Sequence, residues 1–234
     1  MSIDIEAAAG MYSLWDWVEA NKKRVIVGTT VGVVAALVIS YYFWHHEQWQ
    51  IQASEAVSNV EPGPNAADQY LKLATEYPGT AAAARSVLLA AGNLFTAGKF
   101  QEAQTQFDRV IREFPDSPFR AQALLGTAAS LDAQGKVADA TTRYSDFIQQ
   151  YSSNPASIQA KAALARLYET QNQPDKALPL YQELVRSGAN SSYGLEAEMH
   201  LQELLAQHPE LAKALKAAAA TTPATTPVIS GDKK

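Results

Sequence analysis

The sequence predicts an all-α protein: one transmembrane helix followed by a solenoid of helical hairpins. Two observations predict it. Val25 to Trp44 (VIVGTTVGVVAALVISYYFW) is an uncharged run of 20 residues, long enough as a helix to cross the hydrocarbon core of a bilayer. Beyond it, the same residue types recur every 37 residues, and a fixed period of this size marks a repeat array.

The apolar run reads as an uncleaved anchor. It exceeds the apolar core of a signal peptide, and it ends in Tyr41, Tyr42, Phe43 and Trp44 where a cleavage site needs small residues. These aromatics, with Trp15 and Trp17 in the amphipathic stretch Met11–Ala20 before the run, match interfacial belts. His45 and His46 follow at headgroup level. Lys22, Lys23 and Arg24 precede the run, and the next Lys or Arg is Lys72. That asymmetry places the N-terminus in the cytoplasm and the rest of the chain outside it. Within the run, Gly28, Gly32 and Ala36 share one helix face, a spacing that lets a second helix approach closely.

The expected organisation is a cytoplasmic stub (residues 1–24), the transmembrane helix (25–44), an extracytoplasmic repeat domain (45–219) and a disordered Thr/Pro/Ala-rich tail (220–234). The net charge of −5, with signs interspersed, gives no electrostatic footprint for nucleic acid. The absence of cysteine excludes a disulfide framework, a cysteine metal site and a lipid-anchored N-terminal cysteine.

The repeat registers define each hairpin. Ala66, Ala103, Ala140 and Ala177 are followed four residues later by Tyr70, Phe107, Tyr144 and Tyr181. Antiparallel helices joined by a tight turn are closest near that turn, so alanine is required there and an aromatic fills the widening gap. Gly98, Gly135 and Asn172 stand at the turns, where positive φ is needed. Unit one is read as a helix from about Thr80 to Thr96 and a second from Phe100 to Phe114, with Phe107, Val110, Ile111 and Phe114 on one face. Asp116-Ser117-Pro118 is expected to cap the next helix. Units two and three repeat this pattern, Pro174 opening the last second helix. A half-unit, Pro64 to Pro78, is read as a lone second helix, its partner being Glu47–Val60, continuous with the membrane helix. Ser191–Ala206 is expected to close the array with a polar outer face of Glu196, Glu198, Gln202 and Glu203, and Pro209–Ala219 to form a short final helix.

Gly98, Phe100, Ala103, Phe107 and Pro115, then Gly135, Ala140 and Tyr144, then Tyr168, Ala177 and Tyr181, resemble the tetratricopeptide repeat. The family's unit is shorter, about 34 residues, so each junction here carries extra residues, and Val87, Ala90 and Ala91 stand where its Trp and Leu-Gly belong. The resemblance implies a groove lined by the first helix of each unit: Arg85, Leu88 and Phe95, then Gln122, Leu125 and Asp132, then Gln159, Arg166 and Glu169. Some relatives clamp a C-terminal carboxylate there with Lys and Asn. Leu88, Gly92, Leu125 and Ala129 stand at those positions here, so the clamp is absent and the groove suits extended or unfolded segments.

The whole layout resembles the YfgM family of bacterial inner-membrane proteins, and the repeats are also similar to those of BamD and CpoB. The first resemblance implies an accessory subunit of the Sec translocon in the inner membrane, its repeats periplasmic, working beside chaperones on exported proteins. A structural adaptor in envelope assembly or division is the alternative. No nucleotide loop, serine-hydrolase elbow or zinc-protease motif occurs. His200 and His208 complete no triad. The reading is therefore a non-enzyme, without cofactor, metal or small-molecule substrate, whose partners are the membrane and exported or membrane proteins, translocon subunits and chaperones among them.

Overall fold

The computed structural model describes residues 17–188 and 191–221, which fall into two compact units divided between Asn59 and Val60. Ten helices run through the described residues: α1 (Lys22–Ser58), α2 (Ala66–Glu76), α3 (Ala81–Thr96), α4 (Phe100–Glu113), α5 (Arg120–Ala133), α6 (Val137–Gln150), α7 (Ala156–Thr170), α8 (Pro174–Ser187), α9 (Ser192–Gln207) and α10 (Pro209–Thr221). Trp15, most of the amphipathic stretch (residues 11–16) and most of the tail (residues 222–234) lie outside the described residues; residues 220 and 221 belong to α10.

In the first unit, α1 is a single helix of 37 residues, so the apolar run and the stretch from Glu47 are continuous. It is long and apolar enough to cross a membrane, and none of its most apolar stretch is buried within the protein. Thr29 and Thr30 donate their hydroxyls to the carbonyls of Val25 and Ile26 one turn back, so these two hydroxyls are satisfied within the helix itself. Tyr41 and Tyr42 stack on His45 and His46 at ring separations of 6.0 and 6.3 Å.

In the second unit, each helix packs on the next in sequence, and α3, α5, α7 and α9 also touch one another in series. The first helices of the hairpins therefore form one layer. The expected small residues sit at the crossings: Ala66 is 2% exposed and Ala103, Ala140 and Ala177 are fully buried. One turn further, Phe107, Tyr144 and Tyr181 fill the core, and Tyr70 packs half-buried at its edge.

The turns have a shared hydrogen-bond signature. Gly98 and Gly135 adopt φ of 76° and 71°, and Asn172 adopts 53°. At each, this residue's amide bonds the carbonyl three back, and the following amide bonds the carbonyl five back: Lys99 to Leu94 (2.9 Å), Lys136 to Leu131 (3.0 Å) and Gln173 to Tyr168 (2.8 Å). This paired arrangement satisfies the last carbonyls of each first helix while reversing the chain. A second ladder links the units. Gln134 donates to Gln104 (2.9 Å), and 37 residues on, Gln171 donates to Thr141 (2.8 Å).

Two expectations about helix starts divide. Thr80 caps α3 by accepting from the Ala83 amide. Asp116-Ser117-Pro118, in contrast, does not cap α5, which begins only at Arg120. Proline disfavours helical geometry at Ser117 before it. The Ser117 hydroxyl instead accepts from the Phe119 amide at 3.2 Å. The displaced start places Phe119 against the core and lets Arg120 donate to the Ile111 carbonyl in the last turn of α4 (3.0 Å).

Gly126 has a packing role. A Cβ there would lie 2.5 Å from the Phe107 ring, which is 6% exposed, whereas a Cβ at Gly92 would meet nothing within 4 Å. Both lie inside helices, where Gly→Ala alone gains about 1 kcal/mol. Gly92→Ala is thus expected to raise the melting temperature. Gly126→Ala is expected to lower it, because overpacking a closed core costs about 1–3 kcal/mol. Equal upward shifts would show that α5 does not approach Phe107 this closely.

Candidate functional site

The layer of first helices carries two adjoining cavities. The first, about 480 Å³, is lined by Leu88, Gly92, Phe107, Gln122, Leu125, Gly126 and their neighbours from α3 to α5. The second, about 490 Å³, is bounded by α5, α7 and α9, with Phe95 at its edge and Tyr144, Tyr181 and Leu184 in its floor. Ala129 and Gln159 line both, so together they form a continuous groove.

Seven of the nine residues expected to face a groove border it. Leu88, Gln122 and Leu125 border the first cavity, Phe95, Asp132 and Arg166 the second, and Gln159 both. Glu169 lines neither cavity and accepts a hydrogen bond from Tyr181. Arg85 is exposed and lines neither.

The second cavity holds most of the polar chemistry. Arg166 pairs with Asp132 at 3.1 Å, across 34 residues of sequence. The Tyr181 hydroxyl donates to Glu169 at 2.5 Å. His200 stacks on Tyr181 with nearly parallel rings 5.4 Å apart, its nitrogens 3.7 Å from Glu169 and 4.0 Å from Glu196. Burial, followed by the bond to Glu169, pushes the Tyr181 phenol far above its ordinary range. Burial, followed by the charge of Asp132, does the same for Tyr144. Both hydroxyls therefore remain neutral donors throughout the neutral range.

The helix expected to close the array, α9, also takes part in the groove. Glu196, Glu198, Gln202 and Glu203 are exposed, and Glu196, with Tyr193 and His200, also borders the second cavity. The reason is helical register. Adding one 37-residue period to Gln159 and Ala163 gives Glu196 and His200, so α9 is the first helix of a fourth unit. The repeat carried that signal, although α9 lacks the aromatic and alanine registers of a second helix. Tyr144 and Tyr181 were legible as core residues. Both also line the second cavity, which each reaches across the core from its second helix.

Gly28, Gly32 and Ala36 are exposed along α1, and added Cβ atoms at the two glycines would meet only open space. Among the described residues no group of three His, Asp or Glu side chains converges as metal ligands.

Stacked hairpins with a continuous groove along their first helices define a helical-repeat scaffold. The sequence profile of the tetratricopeptide repeat-like domain matches residues 15–145, more than half of the chain, and the protein belongs to that family. Solved structures agree on the fold. The tetratricopeptide-like repeats of a putative kinesin light chain from Podosopora anserina share 18% identity at a TM-score of 0.52, covering 74% of this chain and 92% of that one. A tetratricopeptide repeat protein from Parabacteroides merdae shares 13% at 0.55, covering 70% and 62%. A MamA double mutant shares 15% at 0.52, covering 73% and 88%. No protein of curated function matches the sequence. Tetratricopeptide repeats serve as protein–protein interaction scaffolds, the coarse role this fold and family support.

Proposed function

We propose that this protein is a membrane-anchored, extracytoplasmic scaffold that binds exported polypeptides, as an accessory subunit of the Sec translocon within the periplasmic chaperone network. The observation that carries the binding role is the continuous groove through Ala129 and Gln159, walled by the first helices of successive hairpins. Extended segments fit such a surface because their side chains can enter successive gaps between helices. The anchor reading is supported by the exposed, apolar face of α1 and by the basic residues before it. The Gly28–Gly32–Ala36 face is read as the surface where α1 meets another membrane helix. The resemblance to the YfgM family supports the translocon assignment, with the N-terminus cytoplasmic and the repeats periplasmic.

A photo-crosslinking residue at Phe95 or Gln122, both in the groove, tests this. Thr142 is the control, being exposed on the second helix α6. Adducts with secretory proteins and Sec components are expected from Phe95 and Gln122 but not from Thr142, and they should fade when export is blocked. A single fixed partner that persists under the block would favour an envelope adaptor. Equal adducts from all three positions would defeat the groove.

A further inference from the structure

We propose that the cavity bounded by α5, α7 and α9 receives a Lys or Arg side chain of an extended polypeptide, whose apolar neighbour lies in the adjoining α3–α5 cavity. This rests on the scaffold reading above and specifies what the groove selects.

The charge balance of the second cavity carries the argument. Its one arginine, Arg166, is already engaged by Asp132 at 3.1 Å. Glu196, on the cavity's border, has no Lys or Arg partner among the described residues; its side chain is 58% exposed, with His200 at 4.0 Å. An acidic guest would meet the Glu196 carboxylate with the local cation already in use. An apolar guest would strip water from Glu196 and return nothing for it. A basic guest would pair with Glu196, and the exposed ring of Tyr193 offers a face for its stem and charge. The volume of about 490 Å³ lies within the range of small binding pockets.

The first cavity differs in lining. Leu88, Leu89, Phe107 and Leu125 dominate it, and no ionisable side chain borders it. Because Ala129 and Gln159 join the cavities, one chain can cross both. Packed helices lie about 8–10 Å apart and an extended chain advances about 3.3 Å per residue. The apolar and basic side chains should therefore be about three residues apart.

The test uses the full chain in nanodiscs and fluorescein-labelled peptides of about ten residues in a Ser/Gly/Ala background. The peptides carry Leu-x-x-Arg or Arg-x-x-Leu, with matched versions replacing Arg by Gln or Glu. Anisotropy at low salt is expected to show the Arg peptide binding about tenfold tighter than the Gln peptide, with the Glu peptide weaker still. In Glu196→Gln the Arg-over-Gln preference should fall to about threefold or less, and added salt should erode the preference in the wild type. Binding that ignores the Arg/Gln/Glu exchange overturns this inference and leaves the scaffold reading standing. No measurable binding by any of the peptides counts against both. If ending the chain at Thr221 makes the Arg peptide bind tenfold tighter, the pocket belongs to the chain's own Lys233 and Lys234, and assignment to a partner is overturned.

Discussion

Phe147→Ala is expected to destabilise the repeat unit by about 3–5 kcal/mol. Phe147 is 2% exposed and stacks on Tyr151 with ring centres 5.1 Å apart. It belongs to the core that joins α5, α6 and α7 through Leu131, Tyr144 and Leu164. Removing the ring leaves a cavity in the middle of the array, where neighbouring hairpins provide most of each other's stability. Urea unfolding followed by circular dichroism should show an earlier midpoint, and a broader transition if the hairpins uncouple. Met199→Ala is the control, because Met199 is 66% exposed and should change stability by less than about 0.5 kcal/mol. A loss below about 1 kcal/mol for Phe147→Ala would mean that this core is not closed.

The second large effect concerns the anchor. Val34→Asp and Leu37→Asp together should raise the free energy of membrane insertion by about 6–8 kcal/mol, adding a charge penalty and losing an apolar gain at each position. Val34 and Leu37 are 54% and 65% exposed, so the pair disturbs no core within the protein. The variant is expected to move from the carbonate-washed membrane pellet to the soluble fraction while its repeats stay folded. Complete retention in the pellet would end the reading of α1 as a membrane anchor.

The repeat was legible in the sequence because its strongest constraints are local and recur. An antiparallel crossing near a tight turn admits only a small side chain, so alanine marks each second helix. The chain reversal needs positive φ, so glycine or asparagine marks each turn. Both signals depend on a few neighbouring residues and survive divergence elsewhere. The start of α5 was less legible. Ser117 and Pro118 look like a cap, but the helix begins later, at Arg120, with Phe119 packed on the core and Arg120 bonded to the Ile111 carbonyl. That carbonyl lies in the preceding helix.

The groove was half legible. Period and family resemblance placed Leu88, Phe95, Gln122, Leu125, Asp132, Gln159 and Arg166 around it, and its extension over α9 was available in the same period. Its chemistry was not. Asp132 and Glu169 were read as groove positions without partners assigned to them, and His200 as completing no triad.

By itself the sequence determined the length of the apolar run, the alternation of hairpins and the residues at their crossings and turns. These follow from helix rise, the bilayer's thickness and the steric demands of a tight reversal, all expressed within a few residues. Only the tertiary structure decided that Arg166 meets Asp132, that Tyr181 joins Glu169 beneath His200, and that Gly126 makes room for Phe107. Those meetings depend on how far each helix is rotated about its axis and how closely it crosses its neighbours, which is set by the packing of whole helices rather than by any short stretch of chain.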